Sequence, residues 1–238
     1  AAAMDKLSTF AIANSIGIDA IPTVSFTLES DQEPPFSAPW VVKPRFGGSS
    51  IGVEVGVSNV ATISSLSKLE SSRSGVIVQP YLEGWIDLNM AVRRSPTLQV
   101  SAIERPFADG IYDYATKYLS GGGGMESAPR ELPAHLPPAV QATIEEAARS
   151  IALALQITGA PRIDFMWDGE ERVLFNEINP IPGAFGMYLW DPVGVGRGTL
   201  LHDLVAEAYQ LPLHPSSWTA SSDGSALRVA GNVASKLA

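Results

Sequence analysis

Four residues in the C-terminal half have the types and spacing to do chemistry: Arg162 and Asp164 on one side of Asp168-Gly169, Glu177 and Asn179 on the other. Residues 162–167 and 173–179 alternate around that turn signal, which reads as a β-hairpin. Centring the hairpin between Glu170 and Glu171 sets Asp164 opposite Glu177 and Arg162 opposite Asn179. A period of two then turns all four side chains to one face, with Met166 and Phe175 on the same face nearer the turn. Two carboxylates directly across a ladder repel each other. A solvated face tolerates that repulsion, and a divalent cation would relieve it. Two carboxylates and an amide oxygen are hard donors of the kind Mg²⁺ takes, the rest of its octahedron coming from water and phosphate oxygens. Spacing alone leaves both readings open.

A second constellation begins at Lys43, which ends the apolar run Trp40-Val41-Val42 and precedes Pro44-Arg45-Phe46-Gly47-Gly48-Ser49-Ser50-Ile51-Gly52. A loop of Gly and Ser exposes N–H groups and hydroxyls at low steric cost, and such a concavity binds phosphate oxygens. It is no Walker A loop, because the lysine comes before the glycines. A Gly/Ser hairpin turn explains the same letters. Lys117, followed by four consecutive glycines at 121–124, is equally open to a plain solvated reading. The chain has 16 basic against 25 acidic residues and a net charge of −9, so a polyanion site would have to gather its positive charges locally. Lys6, Lys43, Lys117 and Arg162 each stand beside a special loop or an alternating strand.

The same charge balance argues against a general nucleic-acid or anionic-membrane binder. No run approaches the roughly 18 apolar residues of a spanning helix. The 238 residues, 45% hydrophobic and 17% charged, suit an ordinary globular protein of one large or two small domains. The absence of cysteine excludes disulfides, thiolate zinc sites and cysteine nucleophiles, and a cytoplasmic location is the default expectation. The first residue is not methionine, which suggests a fragment or a processed chain.

The elements that must position these residues follow from pattern. A weak helical stripe runs over residues 4–18, strands over 22–27, 40–43 and 53–57, helical spacing over 58–74, and a buried strand over 76–79. The pattern breaks between Pro80 and Gly84, the expected hinge between two lobes. Alternating strands follow at 85–93 and 98–105, and then a glycine-rich loop expected to be mobile. Val140, Ile144, Ala148, Ile151 and Leu155 recur at helical spacing behind Pro137-Pro138, with Gly159 just past the end. A last helix is expected over residues 200–209. The expected division is a first lobe, 1–81, a second lobe, 82–212, and a tail, 213–238. His135, His202 and His214 fit solvated surface and receive no role.

Taken together, Met4-Asp5-Lys6, Val42-Lys43-Pro44 with Gly48-Ser49-Ser50-Ile51-Gly52, Tyr112-Asp113-Tyr114 with Lys117-Tyr118, Arg162-Ile163-Asp164 and Asn176-Glu177-Ile178-Asn179-Pro180 with Pro182-Gly183 resemble the D-alanine–D-alanine ligase branch of the ATP-grasp superfamily. Order and spacing match over roughly residues 4–210. The resemblance implies an α+β ATP-grasp fold of two lobes, each with an antiparallel or mixed sheet and helices, and a nucleotide between them. It implies that Lys6 and Lys43 touch the phosphates of ATP, that Ser49 and Ser50 belong to a loop closing over them, and that Lys117 and Tyr118 enter from a lid. Adenine would meet the Pro80 carbonyl and the Leu82 N–H at a hinge opened by Gln79, between Met166 and Phe175, with Asp87, or Ile86 by strict count, on the ribose. Asp164, Glu177 and Asn179 would hold two Mg²⁺ ions, or Mn²⁺.

The implied reaction joins a carboxylate and an amine through an acyl phosphate, with small-molecule substrates, ATP and amino acids. Arg162 and the Gly183 N–H would stabilise the oxyanion, with Ser49, Lys117 and Tyr118 closing the site. The family also carries an N-terminal domain that this sequence does not include, and a homodimer is common in it. The chain departs from the pattern at Gly47, where an acidic residue is usual, and at Gln79, where glutamate is usual. After Pro182-Gly183 it reads Ala184-Phe185-Gly186-Met187-Tyr188 in place of small hydroxyl residues. Three functions are therefore weighed: D-alanine–D-alanine ligation, ligation of a different amino acid or peptide, and ATP binding without ligation.

Overall fold

The hairpin that sequence spacing drew is the centre of one of two sheets. The computed structural model describes residues 2–26, 33–48, 50–69, 72–107 and 129–211. The expected lid with Lys117, Tyr118 and glycines 121–124, the residue Ser49, and the tail 213–238 lie outside them. In chain order the elements used here are α1 (Lys6–Ser15), β1 (Val24–Phe26), β2 (Trp40–Pro44), β3 (Glu54–Val57), α2 (Val60–Leu66), β4 (Val76–Pro80), β5 (Ile86–Arg93), β6 (Gln99–Val100), β7 (Arg105–Pro106), β8 (Arg130–Glu131), α3 (Pro138–Ala154), β9 (Arg162–Trp167), β10 (Val173–Asn179) and α4 (Arg197–Gln210).

The first sheet has the order β1-β4-β2-β3 and the second β10-β9-β5-β6, with β7 and β8 as a separate pair; all pairs are antiparallel. The chain passes from one sheet to the other through residues 81–85, where the hinge was expected. Gly84 takes a positive φ of 78° there, a conformation that glycine adopts without a Cβ clash.

Each sheet buries one face against a helix and turns the other toward its partner. On the second sheet Leu88, Met90 and Val92 of β5, Ile163, Phe165 and Trp167 of β9, and Phe175 and Ile178 of β10 pack against Val140, Ile144, Ala148 and Ile151 of α3. The i, i+4, i+8, i+11 spacing puts those four on one stripe of α3, and Pro138 starts the helix where a missing N–H costs nothing. Burying Ile144 and Ile151 contributes about 1.5–3 kcal/mol each. On the first sheet Trp40, Val42, Val76 and Val78 pack with Ile63 of α2. That helix is only seven residues, shorter than the helical spacing over 58–74 suggests, and Asn59 caps it by accepting from the Thr62 N–H.

The sequence grouped α1 with the first lobe, but its packing is with the second. Ala13 lies in the core of the second sheet, the Ile21 N–H donates to the Phe175 carbonyl, and the Phe175 N–H donates to the Asp19 carbonyl. The boundary drawn at 81 therefore does not follow the packing at the N-terminal end. Only the tertiary partner decides this, because the stripe on α1 is too weak to name one. Among the described residues no helix is long and apolar enough to cross a membrane.

Asp5 fastens the start of α1 to the loop after β2. Its Oδ1 accepts from the Leu7 and Ser8 N–H groups as an N-cap, and from Arg45 Nε at 2.8 Å. The Arg45 hydrogen bond holds the Asp5 carboxyl well below the usual carboxylate range, against the opposing effect of burial. A depressed folded-state pKa means the stabilisation is complete above the unfolded value of about 3.9 and is lost as pH falls below it. Asp5→Ala should lower stability at pH 7 by at least the ~1 kcal/mol of a lost cap. In urea unfolding at a series of pH values, the gap to the unsubstituted chain should narrow below about pH 4. A gap independent of pH would mean that the Arg45 pair contributes nothing.

Candidate active site

The face of the second sheet turned away from α3 carries polar side chains in rows across the strands. Asp87 pairs with Met166, Asn89 with Asp164 and Ala91 with Arg162 between β5 and β9; Asp164 pairs with Glu177 and Arg162 with Asn179 between β9 and β10. Directly paired residues point the same way, and successive rows are about 6.6 Å apart along the strand. The rows thus step from Asp87 and Met166 at the hinge, through Asn89, Asp164 and Glu177, to Arg162 and Asn179. Asp164 and Glu177 are opposite each other, as the symmetry about residues 170 and 171 required.

Phe175 is not on this face. A bulge between Phe175 and Glu177 adds Asn176 as one extra residue, so that Phe175 pairs with Phe165 and Met166 pairs with Leu174. One inserted residue reverses the facing of everything on the turn side of it. Phe175 is therefore in the core, its ring 6.2 Å from that of Phe165 at 74°. The extra residue has its own use: the Asn176 Oδ1 accepts from Lys43 Nζ at 3.0 Å, across from the first sheet.

Between the two sheets lies a cavity of about 610 Å³. The first sheet and its loop contribute Val41, Lys43, Gly47, Gly48, Ser50 and Gln79; the hinge contributes Pro80, Leu82 and Gly84; the second sheet contributes Asp87, Met166, Asp164, Glu177, Asn179 and Arg162. Lys6, at the start of α1, enters the same space. Gly183 does not line the cavity: it begins the 3₁₀ segment Gly183–Leu189 behind it. Gln79 is buried, its Nε2 donating to Thr23 Oγ1 at 2.9 Å.

The electrostatics pit cations of one wall against anions of the other. Lys6 Nζ donates to the Gly47 carbonyl at 2.9 Å and lies 3.9 Å from Glu177 Oε2. Gly47 has a φ of 119°, a region closed to side-chain-bearing residues, so the carbonyl that anchors Lys6 depends on this glycine. Burial pushes the Lys6 ammonium below the ordinary lysine pKa; the Glu177 charge opposes this and the nearby Lys43 charge adds to it. Asp164 is held in a fork by Arg162, whose Nε and Nη2 donate to Oδ1 and Oδ2 at 2.6 and 2.7 Å. Burial alone would make Arg162 easier to deprotonate, but the Asp164 charge and hydrogen bonds outweigh it and raise the pKa further.

The donor set suits a hard divalent cation. An ionised carboxylate has about four lone-pair positions, so Asp164 can face Arg162 with one pair and a cation with the other. Glu177 and Asn179 bring further oxygens from the neighbouring strand. Among the described residues no group of three or more His, Asp or Glu side chains stands together as a cation site.

Sequence reasoning missed a second polar group at the far end of the cavity. Glu104 lies beside Asn89 through an isolated bridge, and accepts from Arg130 Nη1 at 3.0 Å and from the Tyr188 hydroxyl at 2.9 Å. Residues 104, 130 and 188 share no local spacing, and no pattern in the sequence could have joined them.

A family model described as D-ala D-ala ligase C-terminus matches residues 14–207. The D-alanine–D-alanine ligase of Anaeromyxobacter sp. (strain Fw109-5) is 31% identical over 207 residues, an overlap of 84% of this chain and 64% of that protein. The crystal structure of D-alanine–D-alanine ligase from Helicobacter pylori superposes with a TM-score of 0.64 at 25% identity, covering 89% of this chain and 60% of that one. The Bacillus anthracis enzyme complexed with ATP gives 0.67 at 18% identity, over 88% and 67%, and speaks to the fold. This chain thus spans less than two thirds of the length of the curated relative. Two antiparallel sheets facing each other across lysines and paired carboxylates, with the family model over most of the chain, lead to one assignment: the chain belongs to the D-alanine–D-alanine ligase family, in its C-terminal, ATP-grasp region.

Proposed function

We propose that this chain binds ATP with Mg²⁺ between its two sheets and provides the ATP-grasp part of a cytoplasmic carboxylate–amine ligase, with D-alanine as the first substrate to test and peptidoglycan precursor synthesis as its setting. The observation that carries the reading is the meeting of Lys6, from the start of α1, and Lys43, from β2, with the row Asp164, Glu177 and the neighbouring Asn179 in one cavity. Lysines held at fixed points, one to Gly47 and one to Asn176, are placed to take phosphate oxygens. A cation held by Asp164, Glu177 and Asn179 would neutralise phosphate charge.

The hinge gives the base its place: the Pro80 carbonyl can accept and the Leu82 N–H can donate, while Met166 and Val41 make the apolar walls and Asp87 faces the ribose. In the first step a substrate carboxylate oxygen attacks the γ-phosphorus, and the bond to ADP breaks. In the second an amine attacks the acyl carbon, loses a proton, and phosphate leaves. Arg162, one row beyond Asp164, is positioned to stabilise the oxyanion of that second step. Ser49, Lys117 and Tyr118, from the resemblance, would close the site.

A second reading, ligation to a different amine, is favoured by one observation: the residues after Gly183 are Ala184, Phe185, Gly186, Met187 and Tyr188 rather than small hydroxyls. ADP release measured with a panel of amino acids tests both. Release dependent on D-alanine is the expected result. Release with other amines alone selects the second reading, and nucleotide binding without turnover on any amine overturns ligation.

A further inference from the structure

Four residues stand in one row across four segments of the chain: Glu104, Asn89, Asp164 and Glu177. Asn89 exchanges two backbone hydrogen bonds with Glu104, at 2.9 and 2.8 Å, and pairs on its other side with Asp164, which pairs in turn with Glu177. Directly paired residues share a face, and all four line the cavity. Each carboxylate of the row has a cation beside it: Arg130 for Glu104, Arg162 for Asp164 and Lys6 for Glu177. Asn89 is the neutral member. It is 9% exposed, and its Nδ2 donates to Glu104 Oε2 at 3.3 Å. An ionised carboxylate only accepts, so the nitrogen of the amide must face Glu104, which leaves the oxygen for the cavity. Among the described residues Asn89 Oδ1 accepts no hydrogen bond, and it is not sealed from solvent as Arg93 Nε and Trp190 Nε1 are. Holding an amide oxygen in a largely buried place without a partner is costly, which points to a partner that a ligand brings.

Glu104 is itself held by Arg130 and the Tyr188 hydroxyl, so it fixes the Asn89 amide rather than follows it. The tether draws that amide toward Glu104 and away from Asp164, whereas an ion shared by Asp164 and Glu177 lies on the other side of Asp164. The Asn89 oxygen is therefore set back from such an ion. Mg²⁺ dehydrates reluctantly and keeps several waters, and a water on this side of the ion is what a set-back oxygen meets. We propose that Asn89 Oδ1, oriented by Glu104, holds a water bound to the divalent cation at Asp164 and so tightens metal binding from a third strand. This rests on the reading that nucleotide and cation bind between the sheets, and its test is by metal binding so that the two can fail separately.

The full chain with a non-hydrolysable ATP analogue is titrated with Mn²⁺, and the relaxation of water protons separates protein-bound ion from the ion–nucleotide complex in solution. Asn89→Leu should bind Mn²⁺ about tenfold more weakly, the usual loss when a group that supports a metal's own ligands is removed. Asn89→Asp, which keeps an oxygen, should bind it at least as tightly as the unsubstituted chain. A purely structural Asn89 predicts the reverse order, because Asn89→Asp loses the donor to Glu104 and sets like charges side by side along the row. Urea unfolding without metal reports that each variant is folded, and if Asn89→Leu is not, Asn89→Ala carries the same test. Unchanged Mn²⁺ affinity in the variant without the oxygen, or a loss in Asn89→Asp as large as in that variant, overturns the proposal. An unsubstituted chain that takes up no Mn²⁺ with the analogue removes the nucleotide–cation reading and this proposal with it, whereas tight uptake that does not depend on Asn89 removes this proposal alone.

Discussion

Glu177→Ala should abolish amino-acid-dependent ADP release while leaving the fold intact. The loss follows from the row in which Glu177 sits: with Asp164 opposite, it is one of two carboxylates that could hold a cation against the phosphates. A cation's charge stabilisation is worth several kcal/mol, and each 1.36 kcal/mol is tenfold, so the rate should fall by about 10³-fold or more. Stability should hardly change. The side chain is 28% exposed on the cavity wall, the Lys6 ammonium lies 3.9 Å from it, and its removal relieves repulsion with Asp164. Thermal unfolding should move by less than about 2 °C. Magnesium titration of the nucleotide complex gives an independent readout, and the variant should need far more metal to reach the same nucleotide affinity. Full turnover in Glu177→Ala would remove the metal assignment.

That row could be drawn before any coordinates because its geometry is local. A hairpin with a two-residue period has few registers, and the one centred between Glu170 and Glu171 brings Asp164 to Glu177 and Arg162 to Asn179; the turn itself is centred on Glu170, and the bulge at Asn176 supplies the remaining half-step. Phe175 was misplaced by the same logic. The insertion at Asn176 has no compositional signal, since Asn-Glu-Ile-Asn alternates no differently from an unbulged strand, and the reason for it is Lys43, more than a hundred residues away. The helix with Val140, Ile144, Ala148 and Ile151 was legible because its stripe and its proline start agree. The partner of α1 was not, for a helix whose apolar face is weak is placed by what it meets, here the strand β10. Glu104, Arg130 and Tyr188 come from three separate segments, and they meet only through the bridge between Asn89 and Glu104, the Arg130 ion pair and the Tyr188 hydrogen bond.

Arg162→Ala should damage both stability and turnover, and the two losses have different causes. In the folded chain Arg162 and Asp164 are each about 10% exposed and joined by two hydrogen bonds. Deleting the guanidinium leaves Asp164 as a buried carboxylate without that partner, a change that costs about 3–5 kcal/mol. The catalytic loss is separate, since removing one donor from an oxyanion typically lowers kcat by about 10²–10³-fold. Arg162→Lys distinguishes them. Lysine restores a positive charge near Asp164 and should recover much of the stability, but its single ammonium cannot make the planar fork, so it should not recover the rate. Mg²⁺ with nucleotide should raise the melting temperature of Arg162→Ala more than that of the unsubstituted chain, because a cation on Asp164 replaces the missing counter-charge only where it is missing. Urea unfolding with single-turnover ADP release on both variants checks this. Arg162→Lys turning over at the original rate would reduce Arg162 to a structural partner of Asp164.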